Sequence, residues 1–131
     1  MTLEEIRDAT RIEHMHDVIA RIAAIMGTFE KEDFLADEIR CEALAHRLTQ
    51  LGEAANKISR AFKAAHPEIP WRRTIEFRND IVHDYSEISY EEMWQRAETD
   101  VVELGKAIRP LYEAIPREPP LTEEEISTLN G

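Results

Sequence analysis

The fold is decided by residues 44–62, LAHRLTQLGEAANKISRAF. Apolar side chains recur there every three or four residues, the spacing that puts them on one face of an α-helix. They are Leu44, Leu48, Leu51, Ala55, Ile58 and Phe62. The pattern predicts one long amphipathic helix from about residue 34 to residue 65, stopped by His66-Pro67. An alternative gives Phe34 and Leu35 a separate first turn before Asp37.

The N-terminal stretch predicts another long helix. Thr2 and Glu5 have the spacing of a capping box, in which the threonine side chain accepts a hydrogen bond from the backbone three residues later. An apolar stripe follows at the same helical spacing: Ile12, Met15, Ile19, Ile22 and Met26. Gly27 is predicted to end this helix.

Two more helices are predicted in the second half of the chain. Pro70 suits the first turn of a helix, where its missing N–H has no intrahelical partner to lose. That helix should fray near residues 83–86. Ser89 and Glu92 form a second capping box that opens a helix through Leu104, and Pro110 is predicted to kink or break it.

Composition narrows the class of protein. The chain has 131 residues, 43% of them hydrophobic and 33% charged, only four glycines, and no Asn-Gly or Asp-Gly turn. β-Hairpins and a doubly wound sheet are therefore disfavoured, and the prediction is an all-α bundle of four to five helices. We expect residues 1–115 to form this bundle and residues 116–131 to form an acidic, proline-containing extension with a short helix capped at Thr122.

Charge and cysteine usage set further limits. A net charge of −11 argues against non-specific binding of nucleic acid, and the single cysteine excludes a disulfide framework. The chain has no apolar run long enough to span a membrane and no signal peptide, so we expect a cytoplasmic protein without membrane contact. Residues 40–78 reverse the charge balance, with eight basic side chains against four acidic ones. This window is either a local phosphate-binding surface or an ordinary solvated helix face.

Residues 78–85, RNDIVHDY, concentrate groups suited to phosphodiester chemistry. The Arg78 guanidinium can hold a phosphate with two hydrogen bonds, and the His83 imidazole can exchange protons near neutral pH. Arg78 and Tyr85 lie nearly on one helix face, whereas His83 is about 140° around the helix from Arg78. The three side chains converge only if the helix loosens at its end. Otherwise His83 has the ordinary role of a helix-terminal cation.

Three segments in order resemble the HEPN superfamily, in its HepT-like branch. Arg78-Asn79-x3-His83-x-Tyr85 matches the Arg-x4-His motif in its extended form. Residues 51–57, LGEAANK, are similar to the family's Gly-Glu-Ala segment, and residues 66–71, HPEIPW, to the connection into the motif helix. The resemblance covers residues 1 to about 115.

The resemblance implies a metal-independent endoribonuclease without a cofactor, acting as the toxin of a prokaryotic toxin–antitoxin pair. Its cleft would form where the motif helices of a homodimer meet. The ribose 2′-OH would attack the adjacent phosphate to leave a 2′,3′-cyclic phosphate and a 5′-OH. In this scheme His83 is the general acid or base and Arg78 is the phosphate clamp. Asn79 orients the phosphate or the histidine, and Tyr85 lines the cleft.

The resemblance also implies a regulatory partner, a minimal nucleotidyltransferase antitoxin. By AMPylation of Tyr85 it would add negative charge and bulk where an RNA phosphate must sit. The alternative is a non-catalytic HEPN protein that binds its nucleotidyltransferase partner or a nucleotide. A helical dimer with a purely structural role is a third possibility.

Other candidate sites are weaker. Glu13 and His16 have the Glu-x-x-His spacing of bundle di-iron sites, but no second copy follows, so we predict no metal site. Cys41 is expected to be a small packed residue and not a nucleophile. Glu53 and Asn56 form either a polar pair near the cleft or plain helix surface, and we leave them out of the catalytic set.

Overall fold

The prediction of an all-α fold is confirmed by a computed structural model, which describes residues 1–83, 88–116 and 121–130 and contains no strand within them. The helices are α1 (Leu3–Met26), α2 (Lys31–Leu35), α3 (Glu38–Lys57), α4 (Arg60–Ala65), α5 (Trp71–His83), α6 (Tyr90–Arg96), α7 (Val102–Glu113) and α8 (Glu123–Asn130). A π-helical turn, Ala97–Val101, joins α6 to α7.

The helix starts predicted at Thr2, Ser89 and Thr122 are confirmed. The hydroxyls of Thr2 and Ser89 accept hydrogen bonds from backbone N–H groups three residues later, each at 3.1 Å. Thr122 caps α8 in the same way at 3.2 Å. Gly27 ends α1 with φ 53°, a left-handed conformation that glycine adopts without steric cost.

The prediction of one helix from residue 34 to residue 65 is wrong. Asp37 caps α3 through the N–H of Arg40, so α2 is separate, as the alternative proposed. The helix breaks again at Ile58, whose backbone is extended, and Ser59 caps α4. The apolar spacing continues across this break, which explains why the pattern did not reveal it.

Asp8 of α1 holds the break in place. Its buried carboxylate accepts hydrogen bonds from the N–H of Ser59 at 2.8 Å and from the Ser59 hydroxyl at 2.6 Å. The same hydroxyl accepts from the N–H of Phe62, so one contact between α1 and the α3–α4 junction completes the cap. Removing a buried acceptor leaves these donors unsatisfied, which costs more than an ordinary surface contact.

We expect Asp8→Ala to lower the free energy of unfolding by about 2 kcal/mol, because it removes two hydrogen bonds and weakens the α4 cap. Urea denaturation followed by circular dichroism measures the change. Asp17→Ala is the matched control, since Asp17 lies on the same helix in an exposed pair with Arg21 and should contribute less than about 1 kcal/mol. Equal effects in the two variants would contradict this role for Asp8.

The break predicted as one of two outcomes at Pro110, a kink or a break, does not occur. The helix α7 continues through it to Glu113. Pro110 is exposed, so water can satisfy the carbonyl that would have paired with its missing N–H. The irregularity lies earlier, in the π-helical turn before Val102.

The core lies where α1 packs against α3 and α7 and where α3 packs against α5. Its largest fully buried side chains include Phe34, Ile12, Met15, Leu44 and Leu104. The described part of the C-terminal extension is exposed throughout, α8 included. Among the described helices, none combines the length and apolar character that crossing a bilayer requires.

Candidate functional site

The motif helix α5 begins at a firmly held connection. The indole N–H of Trp71 donates to the carbonyl oxygen of His66 at 3.0 Å, and Trp71 is buried. The N–H of Thr74 bonds to the carbonyl of Pro70 at 3.2 Å, which starts the helix as predicted. The segment that resembles the family's connection therefore fixes the start of α5 and, through it, the position of Arg78.

Arg78 lies where α3 and α5 approach each other closely, at Gly52. A Cβ atom added to Gly52 would be 2.1 Å from the Arg78 Cβ, 2.7 Å from its Cγ and 3.2 Å from the Thr74 carbonyl oxygen. Only glycine leaves room for the arginine stem at this point. The Gly-Glu-Ala segment therefore contributes directly to the placement of the motif arginine.

The guanidinium of Arg78 has two polar contacts. Nη1 donates to Oδ1 of Asn79 at 3.0 Å, and Nη2 donates to Oε1 of Glu53 at 3.4 Å. Nε is buried and has no partner among the residues that the structure describes. The side chain is 25% exposed, so the group is held from two sides while some of its five N–H donors stay available to a ligand.

Glu53 contacts the motif arginine, and no local sequence pattern predicts this contact. It lies on α3 beside Gly52 and is part of the same short segment. A glycine inside a strongly predicted helix is a signal of close packing. The partner of that close packing is visible only in the tertiary structure. Asn56 is exposed and Glu53 is partly exposed, so the two do not form a buried polar pair.

His83 is the last residue of α5 and is exposed. Because α5 is helical through His83, the loosening that would bring it to Arg78 does not occur before it. On a regular helix the two residues are about 140° apart in direction and about 7.5 Å apart along the axis. A single chain therefore does not aim both groups at one point. Tyr85 lies outside the described residues.

A groove of about 350 Å³ runs along the surface between α3 and α5, beyond Arg78. It is lined by three polar and three apolar residues, Glu42, His46, Thr49, Ala45, Ile81 and Val82. Val82 lies one helical turn after Arg78 on α5, but Arg78 itself is not part of the lining.

The basic window does not form one free cationic surface. Four of its eight cations are paired with carboxylates: Arg40 with Asp37, Arg72 with Glu76, Arg73 with Glu103 and Arg78 with Glu53. Arg47 donates to Gln50. Half of the cations in this window are therefore ion-paired, as is common on a solvated helix surface.

Cys41 has the environment of a packed residue. It is fully buried, and its Sγ donates to the carbonyl oxygen of Phe34 at 3.5 Å. Burial raises the pKa of the Cys41 thiol, as do the nearby carboxylates, so the reactive thiolate is disfavoured. His16 stacks flat on Tyr112 with ring centroids 3.6 Å apart, which gives it a packing role between α1 and α7.

Comparison with known proteins supports the HEPN resemblance. A family model described as "Ribonuclease HepT-like" matches residues 15–111, which include α3, α5 and the motif. A probable ribonuclease HepT of Thermococcus cleftensis is 36% identical over 73 residues, covering 56% of this chain and 66% of the relative. A candidate RNase of Caldanaerobacter subterraneus is 26% identical over 82 residues, covering 63% of this chain and 73% of the relative.

A candidate RNase of Methanocaldococcus jannaschii is 25% identical over a longer stretch of 104 residues, covering 79% of this chain and 83% of the relative. No solved structure gave a significant match. The family match spans most of the helices that build the bundle and contains the segment in which Gly52 packs against Arg78. This chain belongs to the HepT-like ribonuclease family.

Proposed function

We propose that this protein is a metal-independent endoribonuclease and the toxin of a toxin–antitoxin pair. The observation that carries the proposal is the environment of Arg78, whose partly exposed guanidinium is held by Glu53 and Asn79 within the family's matched region. A half-buried, oriented arginine with spare donors is suited to clamp a phosphate. The relatives' names, which are those of ribonucleases, agree with this chemistry.

The proposed reaction is an internal transfer at phosphorus. The ribose 2′-oxygen forms a bond to the adjacent phosphorus, and the bond from phosphorus to the 5′-oxygen breaks. One imidazole accepts the proton of the 2′-OH, and a second, protonated imidazole gives a proton to the departing 5′-oxygen. Arg78 stabilises the charge that develops on the phosphorane. The products are a 2′,3′-cyclic phosphate and a 5′-OH, and no metal or water takes part.

We propose that the second imidazole comes from a partner copy of the chain. On a regular helix His83 and Arg78 of one chain lie about 140° apart, so His83 of the partner subunit would complete the set. We propose a homodimer that forms through the α5 face carrying Arg78, with one composite cleft between the motif helices. A protein that sediments as a monomer at the concentration at which it cleaves RNA would contradict this arrangement.

The experiment that tests the activity uses purified protein and a defined single-stranded RNA in the presence of EDTA. We expect fragments ending in 2′,3′-cyclic phosphate, and no cleavage where the nucleotide 5′ to the scissile bond is 2′-deoxy, because the attacking group is then missing. Intact RNA with wild-type protein would favour the alternative of a non-catalytic module that binds its nucleotidyltransferase partner or a nucleotide. The net charge of −11 is the observation that favours that alternative.

We further propose that a nucleotidyltransferase antitoxin neutralises the protein by AMPylation of Tyr85. The Tyr85→Phe variant should then stay toxic when the antitoxin is co-expressed, because it has no phenol to accept AMP. Mass spectrometry of the wild type should find the modification on the peptide containing Tyr85. Tyr90→Phe is the control and should still be neutralised. Modification mapped to Tyr90 or Tyr112 would contradict this mechanism.

A further inference from the structure

Glu53 contacts Arg78 from helix α3 and takes no part in the proposed reaction steps. Glu53 is 45% exposed and contacts Nη2 of Arg78 at 3.4 Å. The contact joins α3 to α5 across a separation of 25 residues. It also places a negative charge beside the group proposed to bind the RNA phosphate, which by itself should weaken RNA binding.

The aliphatic part and the guanidinium of Arg78 are held by different groups. Close packing against Gly52 fixes the stem, because its Cβ and Cγ fill the space that a side chain at position 52 would need. The guanidinium can still rotate about the remaining bonds of a long side chain. Glu53 and Asn79 restrict that rotation from two sides.

We infer that Glu53 is a positioning residue that orients the Arg78 guanidinium for the charge that develops in the transition state. This inference rests on the proposed ribonuclease function and assigns a second helix to its site. Glu53 touches the arginine and not the substrate. Because catalysis depends on alignment within about 1 Å, the gain from a fixed guanidinium outweighs the repulsion that the carboxylate adds in the ground state.

The inference predicts that kcat falls in Glu53→Ala without any rise in KM. In Glu53→Ala we expect kcat for RNA cleavage to fall at least about tenfold, because Arg78 is no longer oriented. KM should stay constant or fall, because a negative charge near the bound phosphate is gone. Glu53→Gln keeps an oxygen that can accept from Nη2, so it should restore most of kcat. A purely structural role would not produce this rescue or this split.

Glu103→Ala is the matched control. Glu103 also pairs with an arginine of α5 across helices, Arg73 at 3.0 Å, and its removal changes the net charge equally. We expect kcat of Glu103→Ala to match the wild type. A wild-type kcat in Glu53→Ala, or equal losses in Glu53→Ala and Glu103→Ala, would overturn the inference while leaving the ribonuclease activity established.

A second measurement does not depend on cleavage. The Nε–Hε signal of Arg78 in a ¹H–¹⁵N spectrum, assigned with Arg78→Lys, reports on the buried Nε. We expect it to shift and to exchange faster in Glu53→Ala, and to be unchanged in Glu103→Ala. An unchanged signal in Glu53→Ala would overturn the positioning role. If wild-type protein leaves RNA intact, the proposed function fails, and this signal alone decides whether Glu53 holds Arg78.

Discussion

Replacing His83 with alanine should reduce RNA cleavage by about 10²–10⁴-fold and abolish growth arrest on induced expression. This loss in rate is the usual effect of removing a general acid or base, which is the role proposed for His83. The same loss is expected for Arg78→Ala, which removes the phosphate clamp. The effect is measured by comparing total RNA from cultures that express wild type or His83→Ala. The cleavage rates of the two purified proteins give a second measure.

The fold should survive the His83 change, because His83 is the exposed last residue of α5. Surface substitutions of this kind usually alter the free energy of unfolding by less than about 0.5 kcal/mol. His14→Ala is the matched control, since His14 is an exposed histidine on α1 and has no role in the proposed cleft. If the His83→Ala protein is still toxic and still cleaves RNA, the catalytic assignment of His83 is wrong.

Replacing Gly52 with alanine should lower the free energy of unfolding by about 3 kcal/mol, the upper range for an added methyl group in a well-packed contact. The new Cβ would lie 2.1 Å from the Arg78 Cβ and 3.2 Å from the Thr74 carbonyl oxygen. Neither is the free end of a flexible side chain, so α3 and α5 must move apart. The same movement should displace Arg78 and reduce RNA cleavage.

Gly105→Ala provides the control for Gly52→Ala. A Cβ at position 105 in α7 would lie 3.3 Å from Cγ2 of Ile19, a side-chain end that can shift by a few tenths of an ångström. Alanine is favoured over glycine inside a helix by about 1 kcal/mol, so this variant should be neutral or slightly stabilised. Urea denaturation of both variants makes the comparison. Wild-type stability in Gly52→Ala would contradict the close approach of α3 and α5.

Long-range contacts explain where the predicted helices differ from the observed ones. The break between α3 and α4 depends on Asp8, which is 51 residues away from Ser59. No local pattern near Ser59 indicates that contact, and the apolar spacing continues through it. Pro110 shows the opposite case, because a local rule predicts a break that solvent exposure makes unnecessary.

The residue types of the site follow from the sequence, but their geometry does not. The spacing of Arg78, Asn79 and His83 is enough to identify the motif. That spacing could not show that Asn79 accepts a hydrogen bond from Arg78, nor that Glu53 is the second acceptor. The five-residue spacing also predicts that Arg78 and His83 lie about 140° apart around a regular helix. The structure has α5 helical through His83.

The all-α class, the capped helix starts and the family motif can be predicted from the sequence, because each depends on residues close together in the chain. The packing of Gly52 against the Arg78 side chain, the contact of Glu53 with its guanidinium and the contact of Asp8 with the α3–α4 junction appear only in the folded structure. Those contacts join residues 25 to 51 positions apart, and only the packing of α1, α3 and α5 brings them together.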